Sequence, residues 1–464
     1  MTTIEHFEYV FLGGGKGGKT LAMELAQAGR KVAVIERGMI GGSCINVACI
    51  PTKTLIQTAR TEYILHREDG KAADMAKVSQ RVKAVVDGMV EINRNALRDS
   101  GLELVFGTGR FVGPRRLEVK TNDGDLRMIE GEHALINTGT TAAIPDVPGL
   151  KAAEPLTHVE ALVLTTLPES LIILGGGYIG LEMAQAFHRL GSKVTLIQDA
   201  PRVAMREDED VTEAIEAAMK EEGIDIRTGV KPASVTGKSG ESVTVVLQNG
   251  SMVSGSHLLV AAGRTPVTSG IGLDAAGVEV DARGFIKTDE RLATTAERTW
   301  AIGEVAGTPM FTHASFDDYR VLHSQLAGAD AKTTRDRIIP YALFIEPELG
   351  RIGRIGLSEA DAKARGIAVR VAKLPMAAVP RARTNGATKG FMKMLIDAQS
   401  DAILGFAMLG ANAGEVVTAV QMAMLGGLPY TAVRDAIIAH PLISEGLNIL
   451  LAKVPQHAPN KQPR

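Results

Sequence analysis

YVFLGGGKGGKTLAMELAQAGRKVAVIE, residues 9–36, is the stretch on which the reading of the fold turns. Four apolar residues, Tyr9 to Leu12, run into a glycine cluster in which Gly13, Gly15 and Gly18 fit GxGxxG. KTLAMELAQA follows with apolar residues at helical spacing, and Gly29 caps it. KVAVIE, ending on Glu36, reads as a second strand. A strand, a glycine turn, a helix and a strand make a dinucleotide-binding unit. The first two glycines permit a tight turn and bring backbone N–H groups to a pyrophosphate; the third lets helix and strand pack closely. Glu36 falls where a carboxylate accepts hydrogen bonds from ribose hydroxyls.

The layout returns in SLIILGGGYIGLEMAQAFHRLGSKVTLIQ, residues 170–198, with Gly175, Gly177 and Gly180. Gly13 to Glu36 spans 23 positions, and so does Gly175 to Gln198. One GxGxxG is weak, because glycine turns also serve plain packing; two with matched flanks predict two dinucleotide sites. Gln198 occupies the ribose-reading place that Glu36 fills in the first unit. A glutamine does not repel the 2′-phosphate of NADPH, and Arg202 and Arg206 follow closely. Asp199 works against that phosphate, so the choice of NADH or NADPH stays open, leaning towards both.

The rest of the chain bounds the answer. At 464 residues it has room for about three domains of ~150 residues. A composition 45% hydrophobic and 22% charged is that of an ordinary α/β protein. The formal net charge of −2 recommends neither nucleic acid nor a membrane surface as partner. No apolar run reaches the ~18 residues needed to span a bilayer. The N-terminus lacks a basic region followed by an apolar stretch, so the expected location is the cytoplasm.

Only two cysteines occur, in GGSCINVACIPTK, residues 41–53. A lone close pair in a reducing compartment points to catalysis or metal binding more than to a structural staple. CxxxxC lacks zinc spacing, and no second Cys or His pair stands nearby, so no structural metal is expected. In a regular helix, residues five apart have Cα atoms roughly 8–9 Å apart, beyond the ~7 Å reach of a disulfide. A bridge between Cys44 and Cys49 therefore requires an irregular turn.

GGSCINVACIPTK resembles the GGTCxNxGCxPxK signature of the class I pyridine nucleotide–disulfide oxidoreductases, which include dihydrolipoyl dehydrogenase, glutathione reductase and mercuric reductase. The resemblance covers essentially the whole chain through NTGTTAAIPDVPG (137–149), AAGRTP (261–266), AIGEVAG (301–307) and AHPLISEGL (439–447). It implies a site residue by residue. Cys44 would be the interchange thiol that meets substrate, and Cys49 the charge-transfer thiolate against the flavin. Lys53 would stand by the flavin and pair with Glu182, a cation there favouring reduced, anionic flavin. Gly42, Ser43, Gly109, Thr138, Gly139 and Glu304 would line FAD together with the first glycine turn. Thr312 and His313, in the stretch 310–313, would bring a helix N-terminus to the flavin pyrimidine. The nicotinamide nucleotide would rest on Gly175, Gly177, Tyr178, Ile179, Gly180, Gln198, Val230 and Gly263. His440, held by Glu445, would take the proton from a substrate thiol and return it. In the family that histidine reaches the cysteines of the other subunit, so a homodimer is expected.

FTHASFDDYR (311–320), LPMAAVPRAR (374–383) and GGLPYTAVRDAIIAHP (426–441) look more like the reactive chlorine resistance flavoprotein and mercuric reductase branch than like dihydrolipoyl dehydrogenase. That branch passes electrons to thiophilic ions such as Cu(II) or Hg(II), for which Cys44 and Cys49 would be transient ligands. No cysteine follows Cys49, unlike mercuric reductase, and His440 stands where that enzyme lacks the histidine. Three departures from the family pattern stand out. Ala48 replaces a glycine, Glu304 an aspartate, and GRIGRIG at 350–356 reads as a three-residue duplication lengthening a loop.

The expected fold is α/β: two Rossmann-like dinucleotide-binding domains plus a C-terminal α+β dimerisation domain. The FAD domain is placed at 1–146 and 265–336, the NAD(P) domain at 147–264, and the dimerisation domain at 337–464. Two other functions compete with metal-ion or disulfide reduction. One is a dihydrolipoyl dehydrogenase acting on protein-bound dihydrolipoamide; the other is a non-catalytic flavin-binding redox sensor.

Overall fold

The computed structural model describes residues 3–66, 70–328, 332–353 and 357–456. The chain forms two compact units. One comprises Met1–Asp146, Leu156–Leu167 and Leu259–Arg335; the other comprises Val147–Pro155, Pro168–Leu258 and Asp336–Arg464.

In the first unit, β1 (Ile4–Leu12), α1 (Lys16–Gln27) and β2 (Val32–Glu36) form the expected strand, turn, helix and strand. α1 ends at Gln27, with Ala28 as its cap and Gly29 just beyond it in the left-handed region at φ +82°. β1 is central and parallel to its neighbours, with Phe11 opposite Val34 on β2 and opposite Leu135 on β5 (Leu126–Ile136). The parallel order continues outward from β2 to β3 (Glu103–Gly113), and from β5 to the strand Thr299–Ala301. Beyond Phe106, β3 leaves β2 and pairs antiparallel with β4 (Arg116–Thr121), which returns to β5. Strands covered on both faces need near-continuous apolar runs, and β2 is buried at all its positions. One face packs Phe11, Val34 and Leu135 against Leu21 and Ala22 of α1. The other packs Val10, Ile35 and Ile136 against Phe111, Leu117 and Ile129.

The second unit repeats the fingerprint. Strand Ser170–Leu174, helix Tyr178–Leu190 and strand Lys193–Ile197 follow one another, with Leu171 parallel to Val194, and Asp225–Arg227 adds a third strand. The same unit holds a five-stranded antiparallel sheet in the order Tyr341–Leu343, Leu349–Gly353, Ile403–Leu409, Phe391–Asp397 and Val369–Pro375. Helices Ala413–Leu425 and Gly446–Leu451 cover one face through Val416, Val417, Val420, Leu447 and Leu450, packed on Ile352, Met392, Met394 and Phe406. The first half of the GRIGRIG run lies in strand Leu349–Gly353; residues 354–356 lie outside the described residues.

Two buried charge clusters in this unit had no signal in the sequence. Lys393, 1% exposed, places Nζ 2.7 Å from Asp208, 2.8 Å from Asp210 and 2.8 Å from Glu359. Burial alone would lower its pKa, and the three carboxylates reverse that and raise it above the ordinary lysine value. The cation on which these acids converge is thus a side chain of the protein. The second cluster gathers around Glu207. Its carboxylate accepts from the hydroxyls of Tyr178 and of Tyr341, the latter at 2.7 Å, and lies 3.5 Å from Arg351.

Candidate active site

The redox loop sits at the C-terminal edge of the first glycine unit. α2 (Ser43–Asn46) carries Cys44 and stops at Asn46, whose amide donates to Ile40 and Gly42 carbonyls, each at 2.8 Å. Val47 leaves the helix at φ −142°, and α3 (Cys49–His66) begins on the second cysteine. This break is the irregular turn that the spacing requires. It brings the two half-buried thiols into hydrogen-bond contact with one another. The bond to Cys49 and burial push the Cys44 pKa well up, against the pull of Thr312 and Lys16. Cys49 Sγ lies 3.3 Å from Oγ1 of Thr312, the first residue of helix Thr312–Leu326. Ala48 is half-buried and its carbonyl accepts from Thr52 at 3.0 Å, starting α3.

A cleft runs from this loop across the ends of β1 and β2. Gly13, Gly15, Lys16, Glu36, Gly42, Ser43, Cys44, Gly109, Thr138, Gly139, Glu304 and Thr312 line it. The glycine turn is closed by Asn137, which accepts from Gly18 N–H at 3.1 Å and donates to Ile302 at 2.8 Å. A Cβ on Gly15 would stand 2.5 Å from Asn137 Oδ1. One on Gly42, at φ +79°, would meet Gly15 Cα at 2.9 Å. The redox loop therefore lies directly on the glycine turn. Glu36 accepts from Gly14, Gly38 and Met39 N–H groups at 2.8, 2.9 and 3.0 Å. A helix N-terminus, a lysine, a fixed carboxylate and hydroxyls along one groove suit an anionic dinucleotide, so the donor set fits FAD.

At the far side, Glu304 accepts from Thr140 Oγ1 and, at 3.1 Å, from Arg264 Nε. The longer acid is thus clamped by an arginine. His158, at the start of the short helix His158–Ala161, is kept neutral: burial first, then Arg264, push its pKa down to about 4. The unfolded imidazole titrates near its ordinary 6.5. Between these values the unfolded chain binds the extra proton, so the stability His158 confers is complete above about pH 6.5 and is lost towards pH 4. We expect roughly 3 kcal/mol to disappear over that window, measured as a fall in urea midpoint that His158→Gln lacks.

The second fingerprint reproduces one local device of the first. Gln198 Oε1 accepts from Gly176 N–H at 2.6 Å, just as Glu36 accepts from Gly14. Its surroundings differ, since a Cβ on Gly177 would meet nothing within 4 Å. Helix Tyr178–Leu190, which also carries Ile179 and Gly180, opens at Gly177, and Val230 N–H donates to the Gln198 carbonyl at 3.3 Å. An open helix N-terminus with backbone N–H groups at its mouth fits a nicotinamide dinucleotide. Arg202 faces Glu209 at 3.5 Å, and Arg206 is exposed. Gly263 belongs to the first unit, where its carbonyl accepts from Ala143 at 3.0 Å.

Lys53 lies on α3 of the first unit. Glu182 is buried on the fingerprint helix of the second and accepts from Phe344 N–H at 3.0 Å. His440 Nδ1 lies 2.9 and 3.0 Å from the two Glu445 oxygens, so the expected pair is formed. The imidazole is 67% exposed. His313 stacks on Phe311 with ring centroids 5.4 Å apart. Asn137, Lys19 and Arg264 were given no role by the sequence reading, although each lies in a stretch it quoted, NTGTTAAIPDVPG, GGGKGGKTLA and AAGRTP respectively.

Two glycine-turn dinucleotide units, a cysteine pair at the mouth of the first, and an antiparallel C-terminal region define a pyridine nucleotide–disulfide oxidoreductase. The chain belongs to that family: residues 7–318 match the pyridine nucleotide-disulphide oxidoreductases and residues 339–450 their dimerisation domain. It is similar to the probable pyridine nucleotide-disulfide oxidoreductase RclA of Escherichia coli strain K12, at 37% identity over 97% of this chain and 99% of the relative. The solved Cu(II) complex of the HOCl-induced flavoprotein disulfide reductase RclA from E. coli has a TM-score of 0.90 at 36% identity, covering 97% of this chain and 99% of that one. Mercuric reductase of Bacillus cereus is 34% identical over 96% of this chain and 70% of its own. Dihydrolipoyl dehydrogenase of Trypanosoma brucei brucei is 34% identical over 95% of each. The protein is accordingly an FAD-dependent enzyme of the flavoprotein disulfide reductase family with NAD(P)H as electron donor. Among the described residues no helix is long and apolar enough to cross a membrane.

Proposed function

We propose that this enzyme passes electrons from NAD(P)H through the Cys44–Cys49 pair to a thiophilic metal ion, Cu(II) or Hg(II), or to a disulfide. The observation that carries the reading is the pair itself: two thiols in contact, one lining the cleft and the other at a helix N-terminus. Bound FAD supplies the electron relay between nicotinamide and thiols. Gly13, Gly15, Gly18, Lys16 and the α1 N-terminus hold its pyrophosphate, and Glu36 its ribose. Gly42, Ser43, Gly109, Thr138, Gly139 and Glu304 shape the remaining walls, with Lys53, Thr312 and His313 towards the flavin ring.

Cys49 faces the flavin, stabilised as thiolate by the positive end of helix Thr312–Leu326. Cys44 faces substrate, where two soft sulfur donors suit a soft ion. Gly175, Gly177, Tyr178, Ile179, Gly180, Gln198 and Val230 receive NADH or NADPH. The enzyme works as a homodimer, which the match to the dimerisation domain supports. In it the partner subunit's His440 holds the proton exchanged with substrate.

The His440–Glu445 pair also favours a second reading, dihydrolipoyl dehydrogenase, because thiol–disulfide exchange uses such a base. An anaerobic screen of Cu(II), Hg(II), lipoamide and glutathione disulfide, with both nicotinamides, separates the two. We expect kcat/KM for one metal ion to exceed that for lipoamide at least about tenfold, with NADH and NADPH both accepted. Dominant lipoamide turnover would overturn the first reading in favour of the second, and no turnover with any acceptor would leave a redox sensor.

A further inference from the structure

The Glu207 side chain is 0% exposed, and two phenols share one of its oxygens. Tyr178, the first residue of the second fingerprint helix, donates its hydroxyl to Oε1, and Tyr341 donates to the same atom at 2.7 Å. The two rings lie 5.7 Å apart, centroid to centroid. Arg351 Nε stands 3.5 Å from the other carboxylate oxygen, and Arg351 and Tyr341 are directly opposed on neighbouring antiparallel strands. Burial first, then the Glu207 charge, raise both phenol pKa values well above the ordinary 10.0, so each hydroxyl keeps its proton and donates.

The acid also ends a strap. Residues 199–207 leave Gln198 and return to the glycine turn, where Ala204 N–H donates to the Gly176 carbonyl at 2.9 Å and Glu207 N–H to the Ala204 carbonyl at 2.8 Å. A Cβ on Gly176 would stand 3.1 Å from Val203 Cγ1, so strap and turn are pressed together. Ala204 is buried in the left-handed region at φ +45°, a conformation that persists where its surroundings enforce it. Arg202 and Arg206 belong to the same strap. An enclosed carboxylate is a costly way to fill a core, and apolar residues would do so with less penalty. What the acid adds is a fixed acceptor that joins the first residue of the helix to the far end of the strap. We propose that Glu207 is a positioning residue for the nicotinamide dinucleotide, tethering Tyr178 and the strap 199–207 around the mouth of the second glycine turn. The proposal rests on the reading of that turn as the NAD(P)H site.

The test is anaerobic rapid mixing of FAD-loaded enzyme with NADPH and with NADH, which gives a Kd and a limiting rate of flavin bleaching for each. In Glu207→Leu, both Kd values should rise about tenfold, the loss expected for hydrogen bonds to a charged acceptor. Limiting rates should stay within about threefold of wild type. Tyr178→Phe cuts the tether from the other end and should raise Kd in the same range, with the double variant no worse than the larger single change. Tyr341→Phe removes the other hydroxyl from the same oxygen and should bind both nucleotides within about twofold of wild type. Equal losses in the two phenylalanine variants would mark general loosening and overturn the proposal. So would unchanged Kd values in Tyr178→Phe, or effects that multiply in the double variant. Should Glu207→Leu not fold, the comparison of Tyr178→Phe with Tyr341→Phe decides alone. Gly177→Ala separates this tether from the site beneath it, since the added Cβ meets no protein atom within 4 Å and stands where a pyrophosphate must approach. Wild-type Kd values in Gly177→Ala would refute the nucleotide site itself, whereas a loss there with Tyr178→Phe silent would refute the tether alone.

Discussion

In Cys44→Ser enzyme, NAD(P)H should still bleach the flavin at a rate close to wild type, while reduction of the acceptor falls by at least about 10³-fold. The two half-reactions separate because the residues assigned to them are separate. Cys49, at the start of α3 and 3.3 Å from Thr312, stays in place, and the cleft lining changes by one atom, oxygen for sulfur at position 44. A serine hydroxyl at position 44 occupies nearly the same volume. It neither forms a disulfide with Cys49 nor offers a soft donor to Cu(II) or Hg(II). Stopped-flow absorbance for the flavin, with steady-state acceptor turnover on the same preparation, reads both halves. Acceptor turnover within about tenfold of wild type would sink the assignment of Cys44 as the exchanging thiol.

Lys393→Ala should be the most destabilising single change away from the redox centre, at about 3–5 kcal/mol. The lysine is 1% exposed, and Asp208, Asp210 and Glu359 all lie within 2.8 Å of its Nζ. Removing the cation leaves three converging acids with Lys373, 2.7 Å from Asp210, as their remaining cation, so the other two acids lose their partner and one is driven to take up a proton. The direction with pH follows. In the variant the folded carboxylates bind protons more readily than the unfolded ones, so part of the loss should be recovered on acidification. Urea unfolding of both proteins between about pH 7.5 and pH 5.5 measures this. A variant as stable as wild type would show the cluster to be energetically neutral.

Local features of this fold were legible from sequence because their signals are local. GGGKGG followed by an apolar helical period fixes a strand-to-helix turn within about twenty residues, and both copies fold accordingly. The Cys44–Cys49 spacing announced a break in the helix, and Val47 supplies it. His440 and Glu445 are five apart and meet. What escaped were partners joined only by tertiary packing. Asn137 closes a turn 119 positions away. Lys393 draws Asp210 from 183 positions away, and nothing in FMKMLID marks that lysine as buried.

The hydrogen bonds from Gly14 to Glu36 and from Gly176 to Gln198 have a bearing on how such an enzyme diversifies. Each ties the end of a strand to the glycine turn through one side-chain oxygen, and an acid and an amide supply that oxygen equally well. Exchanging one for the other alters the charge offered to a ribose but leaves the tether in place. With Gln198 reading the nicotinamide ribose as proposed, a single substitution at position 198 would shift nucleotide preference and leave the tether to Gly176 intact. The same latitude is narrower at position 36, where the carboxylate's second oxygen also gathers Gly38 and Met39, functions that an amide nitrogen would forfeit. Of two copies of one local device, the first is bound by three hydrogen bonds to one acid and the second by a single bond that either an acid or an amide can accept.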